Sequence, residues 1–484
     1  MSRLVVVSNR LPIRRSAEEL AGFEISAGGL ATAVMGALQR TPGSIWFGWS
    51  GHIVDPDRAS RMSRSSIQGI DLVGLPLTAA EMEEYYLGFC NQALWPMFHC
   101  FQGRVRIRAR HLQRYESVQT RFARALLPLL RPGDLVWVHD YHLIPFGREL
   151  RSLGWRGRIG FFLHIPFPPY ELWEILPDPR RFLQALLAYD LVGFHVQRYL
   201  QNYIRCLREE MGAAWDGATV SAEGISRRAG AYPVGIEPRD FLPSASASGP
   251  APARRVDRRR TTPRRLVLAV DRLDYSKGIP ERLRAFEMLL KRYPQWQTKV
   301  SLLQVASPSR TGVPEYEDQK KRIEALMGRI NGELGEHDWA PIRYLYRSYP
   351  RDFLARLYRQ AEVGLVTPLR DGMNLVSKEY VASQDPASPG VLVLSRCAGS
   401  ADQLREAVIV NPYVPSDVAR GIDMALTMPL EERRERHASL LRSVTTETAG
   451  EWGRRFLADL ESTPGGTPEA QPDRAILSPS GLLS

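Results

Sequence analysis

Two cations, Arg272 and Lys277, bracket the string Asp271-Arg-Leu-Asp-Tyr-Ser-Lys-Gly278, which follows an apolar run. A guanidinium and an ammonium at a strand end can neutralise the charge that develops on a departing nucleoside diphosphate, work that a metal does elsewhere. Taken alone, an ordinary solvated charge pair is the better reading, and what shifts the balance is that both groups point to one cleft. Further on, Asp371-Gly-Met-Asn-Leu-Val-Ser-Lys-Glu379 follows another apolar run and opens a helix. Backbone N–H groups at a helix start receive anions, and Gly372 would let a phosphate come close to the backbone. Glu379, two turns on, could accept both hydroxyls of a ribose. The plainer alternative is that Asp371 only caps the helix.

His164 and Asp140 end two neighbouring apolar runs of the first half. Such a pair could hydrogen-bond sugar hydroxyls and stabilise positive charge on a ring carbon, although strand-end histidines are often satisfied buried polar groups. His139, Asp140 and His142 look like metal ligands on paper, but consecutive strand residues face opposite sides, so a metal is disfavoured. Asp55-Pro-Asp57 is a D-x-D string in a polar loop full of turn formers, and a turn is the better reading. Aromatic residues gather at Trp46-Phe-Gly-Trp49-Ser-Gly51 and at Tyr85-Tyr86 to Trp95-Pro96. Their faces could stack on sugar rings or simply fill a core. The chain has neither a G-x-x-x-x-G-K-[ST] loop nor a G-x-G-x-x-G turn, which argues against P-loop and dinucleotide readings.

These groups need a frame, and the apolar pattern supplies one. Leu4 to Ser8, Ser44 to Gly48, Asp134 to His139, Arg158 to His164 and Leu191 to His195 read as buried strands, with helical patterns at His111 to Leu130 and Arg181 to Tyr189. The second half repeats the rhythm. Its strands are Arg265 to Val270, Lys299 to Val305, Ile342 to Tyr346, Val363 to Thr367, Val391 to Ser395 and Ala407 to Val410, with helices at Pro280 to Arg292 and Pro314 to Gly332. Near-continuous apolar strands alternating with helices make the chain α/β, with parallel sheets covered on both faces. Two doubly wound domains follow, and ligands of such sheets bind beyond the carboxyl ends of the strands, where the polar residues above are found.

The 484 residues, 44% hydrophobic and 24% charged, exclude a single small module and global disorder. No apolar run approaches the 18 or more residues of a membrane span, and the start Met-Ser-Arg lacks a signal core, so a cytoplasmic protein is expected. Four scattered cysteines without a C-x-x-C pair are expected to be reduced thiols. The net charge of +11 owes much to seven arginines against one aspartate between Arg254 and Arg265, within a Pro/Ala/Ser-rich linker. It is a weak argument for a nucleic-acid partner, and no nucleic-acid-binding motif accompanies it.

The strings Val5-Val-Val-Ser-Asn-Arg-Leu-Pro12, Ser26-Ala-Gly-Gly-Leu30, Trp46 to Gly51, Trp137-Val-His-Asp-Tyr-His-Leu143, Gly160-Phe-Phe-Leu-His-Ile-Pro-Phe-Pro168, Asp271 to Gly278 and Gly364 to Val376 together resemble the retaining trehalose-6-phosphate synthases of glycosyltransferase family 20. The match runs from about residue 3 to residue 460, interrupted at the linker. The resemblance implies two Rossmann-like domains facing across a cleft, the glycosyltransferase-B arrangement. The expected parts are an acceptor domain over residues 1–240, a linker over 241–264, a nucleotide-sugar domain over 265–450, a returning helix over 451–461 and a disordered tail over 462–484.

It further implies glucose transfer, with retention, from a nucleoside-diphosphate glucose, uridine by default, to glucose 6-phosphate. Carried over by position, Gly28, Gly29, His164, Arg272, Lys277, Asp371, Asn374, Leu375, Val376 and Glu379 resemble donor contacts. Of these, His164, Asp371, Arg272 and Lys277 are the expected catalytic set. Arg10, Trp49, Tyr86, Trp95, Asp140 and Arg310 resemble the acceptor pocket. No cofactor, metal, nucleic acid or membrane is expected; a homo-oligomer, dimer or tetramer, and a separate phosphatase acting on the product are. Transfer to another phosphorylated acceptor such as glycerol 3-phosphate, and an inactive sugar-phosphate-binding regulator, are the alternatives. The acceptor aromatics argue against the first and the intact charged set against the second.

Overall fold

The computed structural model describes residues 2–15, 23–25, 29–38, 41, 43–242, 264–309 and 314–465. The arginine-rich part of the linker, Gly28 and Arg310 therefore lie outside the described residues, as does the chain beyond residue 465.

Seven parallel strands form the centre of the first sheet: β1 Leu4–Arg10, β2 Ile45–Val54, β3 Ile70–Thr78, β4 Leu135–His139, β5 Ile159–Phe162, β6 Leu191–Phe194 and β7 Ile225–Ala231. Their spatial order is β7-β6-β5-β4-β1-β2-β3, flanked by short antiparallel strands at both edges. The second sheet has six parallel strands: β8 Arg265–Arg272, β9 Val300–Ser307, β10 Ile342–Tyr346, β11 Val363–Val366, β12 Val391–Ser395 and β13 Val408–Val410. It runs β10-β9-β8-β11-β12-β13. Both sheets thus repeat the doubly wound order 3-2-1-4-5-6, the first with one strand added. The order reverses between β1 and β4 in one and between β8 and β11 in the other, and ligands of such sheets bind at these switch points.

Strands such as Leu135-Val-Trp-Val-His139 are buried throughout because helices cover both faces of each sheet. The sequence pattern missed β3, whose Gly74 and Pro76 interrupt it, and β7, whose Ser226, Arg227 and Arg228 hide it. It also left Met82–Leu94 unassigned, where the chain forms a 13-residue π-helix. Such helices are rare and concentrate at functional sites. Gly88 lets this one lie against the His111 ring, since a Cβ there would stand 2.5 Å from Nδ1.

The final helix, Ala449–Glu461, packs into the first core. Its Phe456 stacks on Trp137 at 4.8 Å and fills the space left by Gly160 and Gly193, where a Cβ would meet the ring at 2.8 and 2.7 Å. Phe241, by contrast, belongs to the second core, so residues before 242 already adhere to that domain. Ser462 to Gly465, expected to begin a disordered tail, are placed: the Thr463 carbonyl accepts from Arg158 Nε at 2.9 Å. No helix among the described residues is long and apolar enough to cross a membrane. All four cysteines are free.

Candidate active site

After β8 the Asp274 side chain accepts from Ser276 N at 2.9 Å, capping the single 3-10 turn Tyr275–Lys277. Gly278 then takes φ +64°, a left-handed conformation that glycine adopts without strain, and passes the chain into helix Ile279–Arg292. This sharp turn lays the Lys277 side chain toward the strand end at β11. There its Nζ donates to Asp371 Oδ2 at 2.6 Å, and both side chains are largely buried.

Arg282, on the same helix, holds the turn from behind. Its guanidinium is fully buried and donates to Asp271, to Gln304 Oε1 at 2.8 Å, to Thr367 Oγ1 at 2.9 Å and to the Lys277 carbonyl at 3.2 Å. One side chain thereby ties the end of β8, the middle of β9 and Thr367 just after β11 to the lysine turn. Removing one partner of a buried ion pair costs about 3–5 kcal/mol, so Arg282→Leu should lower the unfolding free energy by about that amount. Chemical denaturation reads it, and a loss under about 1 kcal/mol would show that Asp271 finds other partners.

The Asp371 carboxylate also accepts from Asn374 Nδ2 at 3.0 Å. Burial alone would raise its pKa; Lys277, then Asn374, outweigh burial and hold it below the ordinary carboxylate range. The helix does not open at Asp371, nor does Asp371 cap it. It spans Leu375–Ser383, and its cap is Asn374, at φ +82°, whose side chain accepts from Ser377 N at 3.1 Å. The left-handed residue delays the helix by one turn and frees Asp371 for Lys277. Leu375 and Val376 are half-buried in its first turn. Glu379 accepts from Tyr358 Oη at 3.0 Å, and burial pushes its carboxyl up.

Facing these, β4 and β5 deliver Asp140 and His164. Asp140 adopts φ +78°, which turns its carboxylate back to accept from His164 N at 3.2 Å. His139 Nδ1 lies 3.0 Å from His164 Nε2. Burial lowers the pKa of His164 well below its usual value, with His139 and His195 adding to it, so the ring is neutral at neutral pH. His142 turns elsewhere and stacks on Tyr86 at 5.9 Å. Among the described residues no group of three or more His, Cys, Asp or Glu is arranged to hold a metal ion. Asp55 leads into an exposed 3-10 turn, Pro56–Arg58.

The aromatics divide. Trp46 is core, its Nε1 donating to Ser8 Oγ at 2.8 Å. Arg10, at the end of β1, lies over the Trp49 ring at 5.0 Å; Trp49 meets Tyr86 at 5.9 Å. Trp95 follows the π-helix and lies under Arg272 of the other domain at 5.9 Å. The structure thus joins Arg10, Trp49 and Tyr86 in one chain, Trp95 with Arg272, Asp140 with His164, and Lys277 with Asp371 and Asn374. Gly29 opens helix Gly29–Leu38; Gly28 and Arg310 lie outside the described residues.

Sequence reasoning missed three residues that set this geometry. Arg282 carried a signal, a charge on the apolar face of a helix beside Leu283, Phe286 and Leu289. Tyr199, whose hydroxyl donates across the cleft to the Asp371 carbonyl at 2.8 Å, carried none. Neither did Lys378, which donates to the Val234 carbonyl at 2.7 Å and whose pKa burial lowers to about 8.

The model of glycosyltransferase family 20 matches residues 2–462. A trehalose-6-phosphate synthase of Sinorhizobium fredii is 43% identical over 464 residues, covering 96% of this chain and 99% of the relative. The alpha,alpha-trehalose-phosphate synthase (UDP-forming) from Burkholderia xenovorans, solved in complex with glucose-6-phosphate, superposes with a TM-score of 0.87 at 41% identity, over 95% of this chain and all of the other. An E. coli structure bound with UDP-2-fluoro glucose gives 0.88 at 41% identity, over 96% and 100%.

Proposed function

The chain belongs to glycosyltransferase family 20, and from that premise we propose that it moves glucose from UDP-glucose to glucose 6-phosphate with retention, giving α,α-trehalose 6-phosphate and UDP. The observation that carries this reading is the meeting of two switch points. The Lys277–Asp371 pair of one sheet faces the Asp140–His164 pair of the other, with Gly372 packed directly against the His164 carbonyl.

In this reading Arg272 and Lys277 receive the diphosphate. Asn374, Leu375 and Val376 line its passage, Glu379 takes the ribose, and Asp371 and His164 hold the transferred glucose, with Gly28 and Gly29 as further donor contacts. Arg10, Tyr86 and Arg310 hold the acceptor phosphate, with Trp49, Trp95 and Asp140 around the acceptor sugar. The base lies against the residues around Tyr344 to Ser348, at the end of β10, and Leu369 to Arg370. The bond from the anomeric carbon to the diphosphate oxygen breaks, and the acceptor hydroxyl oxygen bonds that carbon from the same face. Its proton passes to the departing phosphate oxygen. The protein supplies positioning and cationic stabilisation of the leaving group. A neutral His164 adds no positive charge beside the oxocarbenium-like sugar.

The test is turnover with UDP-, GDP- and ADP-glucose, each against glucose 6-phosphate and glycerol 3-phosphate. Release of UDP with formation of a non-reducing phosphorylated disaccharide is expected. A tenfold preference for GDP- or ADP-glucose, worth about 1.4 kcal/mol, would replace the base and leave the reaction class standing. No turnover despite binding would make the protein a regulator. Because two side-chain cations neutralise the leaving group, activity should persist in excess EDTA; loss restored by magnesium or manganese would overturn that assignment. A cytoplasmic homo-oligomer, dimer or tetramer, whose product passes to a separate phosphatase, completes the proposal, and light scattering tests the assembly.

A further inference from the structure

We infer that His139 is a positioning residue that fixes the tautomer of His164, so that His164 presents an Nδ1–H donor to the transferred sugar. The inference rests on the placing of His164 beside that sugar under the proposed function. His139 ends β4 and is 1% exposed. Its Nδ1 stands 3.0 Å from His164 Nε2, the two rings lying 5.2 Å apart at 29°. Burial pushes His139 down to about 3 and His164 well below its usual value, so both are neutral at neutral pH and share one proton along that line.

Two arrangements are open to a pair of neutral imidazoles. If His164 donates from Nε2, His139 must carry its own proton on Nε2. That nitrogen is buried with no partner among the described residues, in a pocket walled by Trp137 at 4.5 Å and Trp452 at 6.3 Å. If instead His139 donates from Nδ1, its Nε2 is a bare acceptor. Orphaned buried N–H groups are rarer than unsatisfied acceptors, which selects the second arrangement. His164 then accepts at Nε2 and carries its proton on Nδ1, the ring nitrogen that does not face His139. Asp140, which takes the His164 backbone N–H, and Phe162, His195 and Trp452, packed 4.8 to 5.9 Å from the ring, keep it from turning. A donor fixed in this way fits a sugar hydroxyl oxygen.

Long-range proton–nitrogen spectra of 15N-histidine-labelled protein read the tautomer. A neutral Nδ1–H form of His164 is expected, and an Nε2–H form would overturn the inference. In kinetics, His139→Asn, whose amide N–H can stand where Nδ1–H stood, should keep kcat within about threefold. His139→Leu should lower kcat by about tenfold or more with KM for glucose 6-phosphate unchanged. Asn as poor as Leu, or Leu near wild type, would overturn it. If the Leu variant fails to fold, the spectrum and the Asn variant decide. If the wild-type protein transfers no glucose, the functional reading fails while the spectrum still answers for the pair.

Discussion

Lys277→Ala should lower kcat by about a hundredfold, the scale seen when one preorganised group facing a developing oxyanion is removed. Lys277 is not a solvated surface charge: it is 8% exposed and donates to Asp371 at 2.6 Å from a turn that Arg282 holds from behind. Its other two N–H bonds are available to a diphosphate oxygen. The same substitution leaves Asp371 with Asn374 as its remaining side-chain donor. Burial then goes unopposed by the lysine, and the Asp371 carboxyl pKa rises. In the wild type that carboxyl lies below its ordinary range, so the pair's stabilisation is whole above the unfolded carboxylate value near 4 and is lost as pH falls through the folded one. The acid limb of the pH–rate profile should therefore move to higher pH in Lys277→Ala. Wild-type turnover in the variant would return the residue to an ordinary charge pair.

Where strands are buried on both faces, their apolar runs were continuous enough to read, and β1, β4, β8 and β11 emerged close to their observed bounds. Reading the residues after those strands singled out Asp140, His164, Lys277 and Asp371, which the structure brings together at the facing strand ends, because a doubly wound sheet fixes where such ends lie. What escaped was decided by partners distant in sequence. Nothing local to Asp371 says that Asn374 will cap the helix and leave the carboxylate to a lysine 94 residues away. His139, next to Asp140, read as a discounted metal ligand, and its bond to His164 exists only because β4 and β5 are neighbours. The π-helix escaped because its period differs from the 3.6-residue template.

Gly372→Ala should reduce kcat/KM by about a hundredfold or more, an effect on geometry alone, since glycine contributes no functional group. An added Cβ would stand 2.3 Å from the His164 carbonyl oxygen and 3.0 Å from Ile165 Cα. Both are backbone atoms of the facing domain and cannot rotate away as a side-chain tip could, so the methyl must push the two strand ends apart. The separation falls between Asp371 and His164, the two residues proposed to hold the transferred glucose. It also strains the bond from Tyr199 to the Asp371 carbonyl at 2.8 Å. Overpacking of this kind costs about 1–3 kcal/mol, so a modest fall in Tm should accompany a large fall in turnover. Gly328→Ala is the control: it lies within helix Pro314–Leu334 with nothing within 4 Å of a new Cβ, and should be neutral or stabilise by about 0.5–1 kcal/mol. Turnover near wild type in Gly372→Ala would show that the domains do not stand this close when glucose is transferred. Measuring KM for each substrate separates the remaining cases. An opened cleft raises both KM values, whereas a displaced Asp371 alone weakens the donor and spares glucose 6-phosphate.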